Sequence, residues 1–150
     1  MGELFANLGL GLAVALSFKN LALCFLGCLI GTLIGVLPGV GPIATIAMLL
    51  PITFGIDPVG ALIMLAGIYY GAQYGGSTTA ILVNIPGEAT AVVTTLDGHA
   101  MAKQGRAGIA LGIAAIGSFC AGTVATVIIA ALGAPLTRVA LLFGPADYFA

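Results

Sequence analysis

The sequence predicts an all-α fold, a polytopic bundle of transmembrane helices interrupted by re-entrant half-helices. Three observations carry that reading. Of 150 residues, 61% are hydrophobic and only 6% are charged, where a soluble domain carries about 25% charged residues. The charges fall so that residues 20–56, 58–87 and 107–137 contain none, and each of these runs exceeds the roughly 20 apolar residues that cross a hydrocarbon core. Prolines and glycines then cluster inside the apolar runs rather than between them. An ionised group at the bilayer centre costs roughly 2.5–3.5 kcal/mol on insertion scales, so charge-free runs are what a lipid solvent demands. The same composition excludes a soluble enzyme, a disordered segment and a nucleic-acid binder, because the four basic residues form no cluster.

The elements follow in order. Residues 4–16 read as a short interfacial helix, or one packed on the bundle. Glu3 precedes it where a secretory signal needs positive charge, and Ala6 stands where myristoylation needs Ser or Thr. A first span covers 20–37 and stops at Leu37-Pro38-Gly39-Val40-Gly41-Pro42, which cannot continue a helix. The apolar piece 43–54 would be about 18 Å long as a helix, too short to cross, so it reads as a half-helix or one arm of a re-entrant hairpin. Asp57 and Pro58 supply an N-cap and a first helical residue for a helix over 59–74. A break covers 75–87, and an aqueous loop covers 88–105 with Glu88, Asp97 and Lys103. A second long span covers 106–132, and a short apolar helix covers 136–143. Lys103 and Arg106 beside that span place the loop in the cytoplasm by the positive-inside tendency.

Small residues recur every four positions, at Gly27, Gly31, Gly35 and Gly39 and again at Gly67, Gly71 and Gly75. Between lipid-embedded helices such stripes allow close backbone packing, and no chemistry is assigned to them. Cys24, Cys28 and Cys120 read as small apolar packing residues, since no metal-ligating neighbours accompany them. Residues 39–44 imitate a dinucleotide fingerprint, but they follow a membrane span and Pro42 lacks a needed N–H. Ser77 and the single His99 make no hydrolase without a nucleophile elbow. No catalytic site and no metal site is expected.

Chemistry is expected at the two interruptions. Irregular backbone at membrane depth survives only inside protein or along a cavity, and interrupted spans point to solute or ion sites. The first interruption offers Pro38, Gly39, Gly41 and Pro42. The second offers Gly75, Gly76, Ser77, Thr78, Asn84, Pro86 and Gly87, with Tyr70 and Gln73 just before it. Uncharged donors beside helix ends suit a carboxylate-bearing solute, and hydroxyl and amide oxygens suit Na⁺. The tyrosines also fit an interfacial belt. Glu88 and Asp97 are the ionisable candidates for coupling to a proton or cation.

Four stretches then carry a resemblance. LIGVLPGVGPIATIAMLLP (33–51), YYGAQYGGSTTAILVNIPG (69–87), TTLDGHAMAKQGRAG (94–108) and FGPADYF (143–149) resemble the large membrane subunit of the bacterial tripartite tricarboxylate transporters. The likeness covers nearly the whole chain. It departs at His99-Ala100, where the family usually shows Tyr-Pro, and at Asp147, where Glu is common. It implies a secondary active importer of tricarboxylates or related carboxylates in the bacterial inner membrane, multi-pass and driven by a Na⁺ or H⁺ gradient without other cofactors. Two partners are implied, a periplasmic solute-binding protein and a small membrane subunit. The chain corresponds to the amino-terminal third of such a subunit, so this piece alone should not transport. Pro38, Gly39, Gly41 and Pro42 match the family's first Pro-Gly element. Gly75, Gly76, Ser77, Asn84, Pro86 and Gly87 match its second, with Ser77 and Asn84 as donors to solute or ion. The alternative is a channel that uses the two interruptions as a filter.

Overall fold

The computed structural model describes the backbone of residues 2–140 and 144, and within these the side chains of all but residues 2–5, 134, 135, 138 and 139. Every regular element among the described residues is helical: α1 (Gly2–Ala15), α2 (Phe18–Gly35), α3 (Pro42–Leu49), a 3₁₀ segment (Leu50–Gly55), α4 (Pro58–Val83), a 3₁₀ turn (Ala89–Ala91), α5 (Val92–Thr94), a π-helical segment (Thr95–His99), α6 (Ala100–Lys103) and α7 (Ala107–Ala140). Phe18–Gly35 and Ala107–Gly133 are long and apolar enough to cross a membrane, with mean hydropathies of 1.7 and 2.1. Large apolar side chains face outward, Phe18 at 89% exposure and Phe25 at 67%. This is a membrane protein of the all-α class.

The chain divides into two compact units, residues 1–111 and 112–150. In the first, α2 and α4 pack backbone to backbone. A Cβ at Gly27, Gly31 or Gly35 would strike the carbonyls of Met64, Ile68 and Ala72 in turn, and one at Gly67, Gly71 or Gly75 would strike those of Cys24, Cys28 and Thr32. Both series ascend together, so the helices run parallel. Each glycine meets the carbonyl three residues before its counterpart, a reciprocal register with a local two-fold. Met64, Ile68 and Ala72 are buried along this seam.

Parallel packing dictates what joins the two helices. Lys19, at the start of α2, forms an ion pair with Asp57, the N-cap of α4, so both helices start at one end. Residues 36–57 must therefore travel back along nearly all of α2, about 27 Å at the helical rise. With eight and six residues respectively, α3 and the 3₁₀ segment cover roughly 24 Å of that distance. The half-helix expected over 43–54 thus forms part of the return segment from the end of α2 to the start of α4, α-helical over Pro42–Leu49 and 3₁₀ over Leu50–Gly55. The Lys19 ammonium beside Asp57, helped by the Gly60 N–H donated to Oδ2 at 2.9 Å, holds the Asp57 carboxyl below the usual carboxylate range.

The break expected over 75–87 shrinks. The helix continues unbroken to Val83 and ends at Asn84, whose φ of 63° is left-handed, with Pro86 following. Gly75-Gly76 stays helical because Gly75 faces α2 and Gly76 faces Gly87. The hydroxyls of Ser77 and Thr78 donate to the carbonyls of Gln73 (3.1 Å) and Tyr74 (2.9 Å), so they do not compete for other backbone. The aqueous loop expected over 88–105 is largely helical too. Gly98 is buried against Ile81, and His99 Nδ1–H donates to the Ile81 carbonyl at 3.0 Å, closing one orphan acceptor in the last turn of α4.

In the second unit α7 continues as a single helix to Ala140, so no separate helix starts at 136. A proline within a membrane helix is tolerated when neighbouring groups satisfy the freed carbonyl. Residues 141–143 of the expected short helix lie outside the described residues. The most apolar stretch of α7 buries nothing, as expected of a surface made for lipid or for more protein.

Candidate functional site

The two proline-glycine interruptions meet. Gly39 N–H donates to the Gly87 carbonyl at 3.1 Å, joining the segment after α2 to the segment after α4. Gly39 adopts φ +88° and Gly41 φ +23°, conformations that disfavour any side chain, and together they reverse the chain into α3. Gly87 is required for a different reason. Its Cβ would lie 2.6 Å from the Gly76 Cα and 2.8 Å from the Gly35 carbonyl oxygen, so only a bare backbone lets the second interruption tuck against both long helices.

Beside this junction lies a cavity of about 820 Å³. The first turn of α3 forms one wall through Gly41, Pro42, Ile43 and Ala44; Tyr69 and Gln73 of α4 form another; Pro86, Gly87, Glu88 and Thr90 close it. Tyr69 and Gln73 stand near the middle of α4, so the cavity opens at the depth of the helix midpoint. Its polar groups are linked: Gln73 Nε2 donates to Tyr69 Oη at 3.2 Å and Thr90 Oγ1 donates to Gln73 Oε1 at 3.3 Å. The N-cap of α3 is Gly41, and no side chain caps it. The N–H groups of Ile43 and Ala44 therefore have no intrahelical acceptor, at the positive end of the helix dipole. Glu88 Oε1 is buried without a hydrogen-bond partner.

Of the residues expected from sequence, Gly39, Gly41, Pro42, Gln73, Pro86, Gly87 and Glu88 line this cavity. Pro38 lies beside it, exposed at the tip of the turn. Tyr70 is 52% exposed and points off the site, with its ring edge-on to Tyr69 at 6.4 Å. Gly75 serves the α2 seam and Gly76 supports Gly87. Ser77 and Thr78 have spent their hydroxyl protons on their own helix, and Asn84 is an exposed cap. Asp97 is exposed in the π-helical segment, away from the lining. Sequence reasoning did not name Tyr69 for the site, reading the tyrosines also as an interfacial belt, and missed Thr90. The available signal was the four-residue spacing of Tyr69 and Gln73, which puts both on one helical face. Among the described residues no group of three or more His, Cys, Asp or Glu could hold a metal ion.

Comparison with known proteins gives a concordant result. The family described as "Tripartite tricarboxylate transporter TctA family" matches residues 21–150. A protein of Agrobacterium vitis, described as an uncharacterized 52.8 kDa protein in the TAR-I ttuC' 3' region, is 62% identical over all 150 residues. The chain spans 30% of the length of that relative. No solved structure matches it.

Proposed function

The chain belongs to the tripartite tricarboxylate transporter TctA family, and from that premise we propose that it forms part of the permease subunit of a secondary active carboxylate importer. In this reading the subunit lies multi-pass in the bacterial inner membrane. A periplasmic solute-binding protein delivers a tricarboxylate or related carboxylate, and a small membrane subunit completes the complex. A cation gradient drives uptake.

The observation that supports this most is the cavity at the Gly39–Gly87 junction. It joins irregular backbone from two interrupted segments at mid-helix depth, the arrangement by which transporters hold solutes. A solute carboxylate fits against the N–H groups of Ile43 and Ala44, where the dipole of α3 favours negative charge. Tyr69, Gln73 and Thr90 add neutral donors that can exchange their mutual hydrogen bonds for bonds to the solute. The apolar remainder excludes water, which strengthens each of these contacts. Ser77 and Asn84 fall outside this constellation.

The test reconstitutes the full-length protein with its small subunit and binding protein, then measures uptake of labelled citrate or dicarboxylates under imposed Na⁺ and H⁺ gradients. Uptake that needs the binding protein and one of the gradients is expected. Absence of uptake of every carboxylate under both gradients overturns the reading, and passive conduction without the binding protein favours a channel.

A further inference from the structure

We propose that Glu88 is the seat of the coupling cation, and that the anionic solute occupies the cavity only when a monovalent cation has neutralised this carboxylate. The proposal rests on the transport reading above and goes one step into its mechanism.

Three observations converge. Among the described residues, Glu88 supplies the only charged side chain of the cavity lining, and no Lys, Arg or His shares it. Its Oε1 is buried with no hydrogen-bond partner while the residue as a whole is half-buried, so this oxygen is free to accept a proton or a cation from the cavity. A Cβ at Gly41 would lie 4.0 Å from Glu88 Cβ, and one at Gly76 would lie 3.4 Å from Glu88 Cγ, so the stem is gripped between the entry to α3 and the wall of α4. Lining the cavity around it are Gly41 at the N-cap of α3, Pro42, Ile43, Ala44 and Ala47 of α3, Tyr69 and Gln73 of α4, and Thr90 of its own segment. Tyr69 is the one other titratable group among them. Asp97 is exposed in the π-helical segment and lies outside this lining.

The electrostatic consequence is direct. A carboxylate solute entering beside an ionised Glu88 puts like charges into one small, mostly apolar space, which disfavours both. A proton bound to Glu88, or Na⁺ held between Glu88 and the neighbouring hydroxyl and amide oxygens, removes the repulsion. Cation and solute then bind together or not at all, which is the requirement for symport. On the cytoplasmic side the cation leaves Glu88, the site regains its negative charge, and the solute is expelled.

Two measurements on the full-length protein with its partners test this. The first compares wild type with Glu88→Gln, whose side chain is neutral at the same size. The variant should retain exchange of internal for external labelled solute yet lose accumulation, with the internal-to-external ratio falling to unity. Accumulation with unaltered cation dependence overturns the proposal, as does loss of exchange in a variant that remains folded by its thermal melt. The second uses wild type alone and keeps the question open to decision even if the variant fails to fold or no carboxylate is transported. A hydrophobic carbodiimide labels protonated carboxyl groups, and the Glu88 peptide is followed by mass spectrometry. Protection by Na⁺ at fixed pH supports the proposal and assigns sodium. Labelling that ignores Na⁺ but has its pH midpoint raised by added citrate, as a solute that binds together with the proton requires, supports it and assigns the proton. Labelling that responds to neither Na⁺ nor citrate overturns it.

Discussion

Glycine does opposite things on the two sides of α4. Along the α2 seam it removes volume: Gly27, Gly31, Gly35, Gly67, Gly71 and Gly75 let two backbones touch, and an added Cβ at any of them strikes the partner's main chain. On the cavity side it bends the chain: Gly39 has nothing within 4 Å of an added Cβ and is needed for its φ of +88°. The seam repeats one use of the residue, whereas the junction combines two, the positive φ of Gly39 and the close approach of Gly87 to Gly76 and Gly35. A stripe of glycines therefore locates rigid packing, whereas glycine beside proline locates a chain reversal at the cavity's edge. The proposed solute site belongs to the second kind.

That contrast can be broken by substitution. The largest effect is expected at Gly71→Val, which forces a branched side chain into the Cys28 carbonyl and the Thr32 amide. Overpacking of this kind costs about 1–3 kcal/mol when side chains can yield, and here the obstacle is backbone. The yield of folded full-length protein in size-exclusion chromatography should collapse. If Gly71→Val melts like wild type, the seam is not the rigid element of the fold.

On solute uptake the largest effect is expected at Thr90→Val, which removes the hydrogen bond to Gln73 and a donor from the cavity. A loss of about 1 kcal/mol of solute binding should lower uptake several-fold at sub-saturating solute, with the melting temperature little altered. Ser77→Ala should leave uptake within error, because its hydroxyl serves its own helix. The reverse ranking would move the site back to the middle of α4's glycine-serine run.

Gly39→Ala should cost roughly 1–2 kcal/mol from left-handed backbone strain alone, measured as a modest fall in thermal stability without loss of folding. The smallest effect is expected at the far end, where Asp57 pairs with Lys19. Its carboxyl lies below its ordinary value of 3.8, so its contribution is complete above that value and is lost as pH falls through the lower, folded-state value. Asp57→Asn should flatten the acid limb of a stability–pH curve while changing neutral-pH stability only slightly, since both partners are solvent-exposed.

Much of this architecture was legible in the sequence. Two of the three charge-free runs hold helices long and apolar enough to cross a membrane, Asp57-Pro58 marked the start of α4, and Leu37–Pro42 marked a true break. The errors share a cause. Gly75-Gly76-Ser77-Thr78-Thr79 looks like a helix terminator by local preference, yet each residue has a helical reason to be there that only a neighbouring backbone reveals. The return of the chain through α3 was illegible because it follows from α2 and α4 being parallel, a relation between elements and not within one. For the site, the Pro-Gly residues were recognisable as backbone irregularities, and Gln73 and Glu88 as polar exceptions. Thr90 gave no signal, because a threonine among apolar residues gains meaning only from its contact with Gln73.

The most direct test places a cysteine at Ala44, in the wall formed by the first turn of α3, and another at Asn84, exposed outside the cavity. In full-length protein assembled with its partners, thiol labelling is timed with and without a saturating transported carboxylate. Solute should slow labelling at Ala44→Cys several-fold and leave Asn84→Cys unchanged. Equal labelling of Ala44→Cys in both conditions would mean that the carboxylate binds elsewhere.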